Sequence, residues 1–238
     1  MHRSLSVLAL VIALASVSPA NAQGRPNFAR ENRLAVTFGF GVGSVALGRE
    51  HDLVNAITPY GSTSGFQINA EISFRYYFPW HLLAQVGCGG IYNWATSSIL
   101  KNHNMTLEVP ILVGGYYRMI GRLYLYGALG PSIFFYSRSW FDPGSDLKAS
   151  GGAGLHVLVG ADLMAGENFA LGLELRFRYL KAGDVTYKDS VPFMINGKVY
   201  PADTPITENM LFGNGSNEGY NLDFTGISLG LNLRFFAL

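Results

Sequence analysis

Residues 169–180 read FALGLELRFRYL. Phe169, Leu171, Leu173, Leu175, Phe177 and Tyr179 are all large and apolar, while Ala170, Gly172, Glu174, Arg176, Arg178 and Leu180 lie between them. A period of two sends alternate side chains to opposite faces of a strand, so this segment is an extended strand with one hydrocarbon face and one face carrying three charges. A half-buried soluble strand shows the same alternation. The decision comes from the rest of the chain, where the pattern recurs.

Working outward, Leu34, Val36, Phe38 and Phe40 alternate with Ala35, Thr37, Gly39 and Gly41 in a first strand. A second, Phe66 to Phe78, sets Phe66, Ile68, Ala70, Ile72, Phe74, Tyr76 and Phe78 against Gln67, Asn69, Glu71, Ser73, Arg75 and Tyr77. A third is expected over Leu82 to Trp94 and a fourth over Met105 to Tyr117, the latter interrupted by Pro110, which cannot donate a ladder bond. The fifth, Arg122 to Tyr136, has apolar residues on both faces, so its register stays open. The sixth spans Gly154 to Met164, the segment at 169–180 is the seventh, and Ile227 to Phe235 is the eighth. Each is near the ~9–11 residues that a tilted membrane strand needs.

Composition and targeting agree. The chain is 49% hydrophobic and only 14% charged, against roughly 25% charged in ordinary soluble domains. MHRSLSVLALVIALASVSPANA opens with Arg3, runs apolar from Leu5 to Val17 and ends on Ala20-Asn21-Ala22, so residues 1–22 are expected to be a cleaved export signal. Residues 23–32 form a short periplasmic leader and 33–238 the fold itself. Removing the signal removes Arg3 from a net charge of +1 and leaves 16 basic against 16 acidic residues, which gives no electrostatic reason to expect nucleic acid. Cys88 is the single cysteine and has no intramolecular partner. Beyond the signal no run approaches the roughly 18 apolar residues of a membrane helix. An apolar exported chain without such a helix points to an all-β, eight-stranded antiparallel up-and-down transmembrane β-barrel in the bacterial outer membrane.

The connections alternate in length. Those after strands two, four and six are short, whereas 48–65, 95–104, 137–150 and 182–221 are long, which places both termini and the short turns in the periplasm and the long loops outside. Two aromatic girdles are expected, with Tyr76, Phe78, Trp80, Tyr117, Tyr124 and Phe235 at the periplasmic rim and Tyr92, Trp94, Phe135, Tyr136, Tyr179 and Phe224 at the outer one. Within the last loop, Asn196-Gly197 between short apolar runs predicts a hairpin. Its residues Phe193, Met194, Ile195, Asn196, Gly197 and Tyr200 are the candidate recognition element, or else a cap over the barrel mouth.

Together with the closing segment TGISLGLNLRFFAL (residues 225–238), the signal, the eightfold alternation and the loop asymmetry resemble the small OmpA/OmpX-type outer-membrane β-barrels. The resemblance is one of pattern over essentially the whole mature chain. It implies insertion by the barrel-assembly machinery, surroundings of outer-membrane lipid and lipopolysaccharide, and a monomer. Such barrels usually end on an aromatic residue, whereas here Phe235 and Phe236 precede Ala237-Leu238. The resemblance leaves no residues for a peptidoglycan-binding domain after the barrel.

Inward positions are expected to carry Arg33, Arg75, Arg118, Arg176, Arg178 and Arg234 with Glu71, Glu108, Asp162 and Glu174, whereas the five lysines fall in loops or at a rim. The planar guanidinium fork holds carboxylates bidentately and desolvates more readily than an ammonium, so these ten residues are expected to bridge and close the lumen. The functional expectation is a non-enzymatic structural or surface-recognition protein with an unidentified extracellular partner. The alternatives are a narrow channel for small solutes and a lipid A-modifying barrel enzyme. For the enzyme, His51 and Asp52 with Ser62 or Ser64 form a compact set, and His103 is a second isolated base. His156-Val157-Leu158 departs from the His-x-Ser of barrel deacylases. No catalytic residue is assigned, and the scattered histidines and irregular last-loop acids supply no metal or cofactor site.

Overall fold

The computed structural model describes residues 29–45, 65–96, 101–140, 145–148, 151–183, 185–187, 192–223 and 225–237. The expected signal at 1–22, most of the leader, and His51, Asp52, Ser62, Ser64 and Phe224 lie outside the described residues.

Eight long strands form the wall: β1 (Arg33–Val45), β2 (Gly65–Tyr77), β3 (Leu82–Thr96), β4 (Lys101–Ile120), β5 (Leu123–Trp140), β7 (Gly152–Met164), β8 (Phe169–Ala182) and β13 (Gly226–Phe236). Each pairs antiparallel with the next in sequence, and β13 pairs back onto β1 from Ala35↔Phe236 to Val45↔Gly226. Closure leaves no unpaired edge, which is the condition for crossing lipid with strands. Among the described residues no helix is long and apolar enough to cross a membrane. Short strands extend the outer end: β6 (Ser145–Lys148) pairs with β5 and with β9 (Thr186–Tyr187), and β12 (Leu222–Asp223) pairs with β8. Strands β10 (Phe193–Ile195) and β11 (Lys198–Tyr200) form a separate hairpin, and α1 (Glu208–Phe212) follows.

The wall inverts the plan of a soluble protein. Its large apolar side chains point out, among them Phe40, Val113, Leu129, Val159, Leu173 and Leu231, while Arg75, Asp162 and Arg234 are fully buried inside. Register in β5, open from sequence, is settled by its two neighbours. Tyr124, Tyr126, Ala128, Ser132 and Phe134 are buried, whereas Leu125, Leu129, Ile133 and Phe135 face out. Tyr124 therefore belongs to the interior and not to the periplasmic girdle, because its β-strand parity is that of the buried row. The last two aromatics split likewise: Phe235 faces out against Phe38 and Phe169, and Phe236 faces in against Tyr77.

Pro110 is accommodated without a register change. The β3–β4 ladder runs to Val86↔Ile111 and resumes at Gly89↔Glu108, so two pairings are skipped around the missing N–H. The β4–β5 ladder likewise skips from Pro110↔Ser132 to Val113↔Leu129, across the position of Pro131. The strands also outrun their expected ends on the outer side, since β4 begins at Lys101 and β5 continues to Trp140.

Candidate functional site

Two regions carry chemistry: the barrel interior and the last outer loop. At the periplasmic end the interior is floored by Tyr77, Tyr116, Tyr124, Met164 and Phe236, all buried. Into this floor reaches Arg30, from the segment ahead of β1. Its guanidinium lies 4.0 Å from the Tyr124 ring centroid and 5.0 Å from that of Phe236, and its Nη1 donates to Asp162 Oδ2 at 2.8 Å. Cation–π stacking and a carboxylate pair together satisfy a cation that would otherwise be costly to bury.

From Asp162 the network climbs the axis. Arg234 pairs with the same carboxylate and donates from Nε to Thr37 Oγ1 at 3.0 Å. The Tyr126 hydroxyl donates to Glu174 Oε2 at 3.1 Å, and Arg75 donates to Glu174 at 3.3 Å and to Gln85 Oε1 at 2.8 Å. Arg176 sits at the centre. It bonds Glu174 Oε1 from Nη2 at 2.7 Å, is ion-paired with Glu71, and lies 3.9 Å from Glu108. Higher still, Arg178 donates from Nε to Glu108 Oε1 at 3.2 Å and from Nη1 to Ser228 Oγ at 2.7 Å, with His156 Nε2 3.1 Å from Glu108 Oε2. Strand alternation explains the placement: each of these residues occupies the inward parity of its strand, and closing eight strands brings rows from opposite walls within one side-chain length.

Of the ten charges expected inside, Glu71, Arg75, Glu108, Asp162, Glu174, Arg176, Arg178 and Arg234 are joined in this chain of contacts. Arg33 and Arg118 are not. Arg33 sits on the first residue of β1, below the floor, and its guanidinium reaches out to Glu167 O at 2.7 Å and to Asn168 in the β7–β8 turn. Arg118 keeps its register opposite Tyr124 but lies two residues from the periplasmic end of β4, where its exposed guanidinium donates to Gly121 O in the turn at 2.7 Å. Sequence reasoning passed over Arg30, which precedes any alternating pattern, and over Gln85, Tyr126 and His156 as neutral partners. A lone arginine just ahead of a strand gives no signal that an aromatic floor will receive it.

Among the described residues, one cavity of about 20 Å³ in the interior, beside Asn69, Glu71, Glu174, Arg176 and Asn232, has room for about one water. Among the described residues no three His, Cys, Asp or Glu side chains are grouped to hold a metal ion.

The last loop is a folded unit. Asn196 and Gly197 hold φ of 49° and 77°, the positive values that the two central residues of a type I′ hairpin turn require. The Asn196 amide donates to Met210 O at 3.1 Å and Leu211 O at 2.9 Å, tying the hairpin tip to α1. Val185, Ile195, Ile206, Leu211 and Tyr220 are buried, while Met194 and Val199, paired across the hairpin, are 55% and 70% exposed. Backbone bonds Ile206 N to Val185 O at 2.8 Å and Tyr220 N to Ile206 O at 2.9 Å hold the segment together. Of the candidate recognition residues, Ile195 is consumed by this small core, Met194 and Gly197 are exposed, and Tyr200 is half-buried. Phe193 begins β10 opposite Tyr200.

A closed eight-stranded antiparallel barrel with an apolar outside and an ionic inside is the architecture of small bacterial outer-membrane β-barrels. Solved structures with this fold include Neisserial surface protein A, at 15% identity over 85% of this chain and 96% of that chain with a TM-score of 0.52. OprG from Pseudomonas aeruginosa matches at 11% identity over 90% of this chain and 100% of that chain, with a TM-score of 0.50. At these identities the likeness is one of fold. No protein-family model matches the chain, and no curated protein matches it in sequence.

Proposed function

We propose that the chain is exported by its first 22 residues, inserts in the bacterial outer membrane as a monomer, and serves there as a closed, non-enzymatic barrel that displays an ordered surface element. The observation that carries this reading is the last loop. It is far longer than joining two strands requires, yet it packs around its own buried residues instead of lying slack, and it leaves Met194 and Val199 facing outward. Long structured loops of this kind are where a rigid scaffold places its binding residues. The partners of the reading are lipopolysaccharide and membrane lipid around the wall and a macromolecule met at the outer surface.

The interior argues against a conduit for solutes. Arg75, Arg176, Arg178 and Arg234 are paired with buried carboxylates across the lumen, so an ion entering would have to break several buried pairs. The test has two arms on one refolded preparation. Surface-partner capture is compared between the full chain and a variant lacking Val191 to Pro201, with the barrel's integrity checked by its heat-dependent gel mobility. Capture lost with an intact barrel supports display, and equal capture overturns it. In planar bilayers, stable single-channel openings overturn the closed reading.

A further inference from the structure

Among the described residues, two outward glycines of the barrel wall lie side by side. Along the row Leu82, Gly115, Gly127, Val159, Leu175, Leu229, successive residues are cross-strand partners. The row is large and apolar except at Gly115 and Gly127, which are adjacent. Above them stand Val113 and Leu129, and below them Tyr117 and Leu125, each pair also directly opposed. The missing side chains leave a groove of about 470 Å³ bounded by Tyr117, Leu125, Val159 and His81. The groove is shallow and open along the wall. It lies toward the end of the wall that bears the short turns, and His81 is exposed there.

We infer that this groove is a binding site for one acyl chain of a phospholipid of the periplasmic leaflet, with the headgroup at His81; the inference rests on the membrane placement proposed above. Three features select this occupant. The groove opens on the face whose medium is hydrocarbon, where a void forfeits dispersion contacts that a flexible chain restores. Its rim changes from apolar wall to an imidazole, with Tyr117 and Trp80 at the same level, matching a molecule whose tail is apolar and whose head is polar. The turn that carries the imidazole holds Trp80 and His81 at φ of 61° and 64°, a conformation that bulky residues rarely adopt, and it fixes the His81 ring 6.5 Å from that of Tyr117. A second copy of the chain fits less well, because a two-fold contact centred here sets concave surface against concave surface.

Gly127→Leu fills the dent without disturbing the wall. A Cβ at Gly127 meets its nearest atoms, Leu158 O and Val159 Cγ1, at 3.6 and 3.7 Å, ordinary contact distances. Gly90, a single outward glycine elsewhere on the wall, provides the matched control Gly90→Leu, whose Cβ meets only Leu107 Cδ2 at 3.9 Å. The full chain is inserted into vesicles of phosphatidylethanolamine and phosphatidylglycerol, extracted in mild detergent and weighed by native mass spectrometry. Wild type and Gly90→Leu are expected to retain one phospholipid per barrel, Gly127→Leu to retain at least fivefold less, and His81→Ala to retain less than wild type. Gly127→Val is the second filling variant should the leucine hinder insertion. Retention by Gly127→Leu equal to that of wild type, or its equal loss in Gly90→Leu, overturns the site. Wild-type dimers that disperse on Gly127→Leu assign the groove to a second copy and overturn it also. A wild-type chain that fails to enter vesicles overturns the membrane reading itself, whereas one that inserts but carries no lipid overturns only the groove.

Discussion

Arg176→Met tests the interior at its centre. Methionine keeps most of the apolar stem and removes the guanidinium, which bonds Glu174 from Nη2 at 2.7 Å and from Nε at 3.2 Å and pairs with Glu71. Glu174 keeps Arg75 at 3.3 Å and the Tyr126 hydroxyl at 3.1 Å. Glu71 keeps only the Gln85 amide at 3.0 Å, among the contacts described, and so becomes a buried carboxylate without an ion pair. Breaking a buried pair on one side costs about 3–5 kcal/mol. Because Glu174 retains two partners, the lower end applies, about 3 kcal/mol, or roughly two orders of magnitude in the folding equilibrium at about 1.4 kcal/mol per tenfold. The assay is equilibrium urea unfolding of the barrel refolded in phospholipid vesicles, followed by tryptophan fluorescence. Adding Glu71→Gln to Arg176→Met removes the orphaned charge and is expected to recover about 1 kcal/mol or more, a coupling that a double-mutant cycle isolates. Arg118→Met, which removes an exposed side chain bonded to one turn carbonyl, should change stability by no more than about 0.5 kcal/mol. A loss in Arg176→Met no greater than that in Arg118→Met, or no recovery in the double variant, refutes the reasoning.

Two further outcomes follow from the same geometry. Arg30→Ala removes an ion pair and an aromatic stack from the floor while Asp162 keeps Arg234, so a loss of about 2 kcal/mol is expected in the same unfolding assay; Arg30→Lys should recover less than half of it, since an ammonium lacks the planar face that lies on Tyr124. Asn196→Ala loses a residue tolerant of positive φ and two bonds to the backbone of α1, so limited proteolysis between residues 193 and 213 should speed up about tenfold while heat-dependent gel mobility of the barrel stays unchanged.

How much was readable in advance differs by element. Strands with strict alternation, such as β2 and β8, declared both their existence and their faces, because lipid on one side and charge on the other leave no second way to pair them. β5 declared its existence only: LYLYGALG is apolar at both parities, and its orientation follows from which row meets Asp162 and Glu174 across the lumen. Arg118 and Tyr124, cross-strand partners at the periplasmic end of the wall, were misplaced for different reasons. Arg118 has the inward parity but turns to a carbonyl of the turn beside it, while the parity of Tyr124 is decided by the ladder and not by the residue.

Taken alone, the amino-acid sequence determined that the chain closes into eight membrane-type strands, which of their faces meets lipid wherever alternation is strict, and that the last loop carries a hairpin. Those are local quantities, set by a period of two, by strand length and by turn chemistry. Only the tertiary structure decided which carboxylate each arginine meets, that Arg30 stoppers the floor, that the last loop packs on itself, and that Gly115 and Gly127 fall side by side to leave a dent. Most of these depend on residues far apart in the chain, as Arg30 with Asp162, 132 positions away, and Arg176 with Glu71, 105 away, illustrate. They become neighbours only through strand stagger and closure, and no pattern within a single segment encodes that distance.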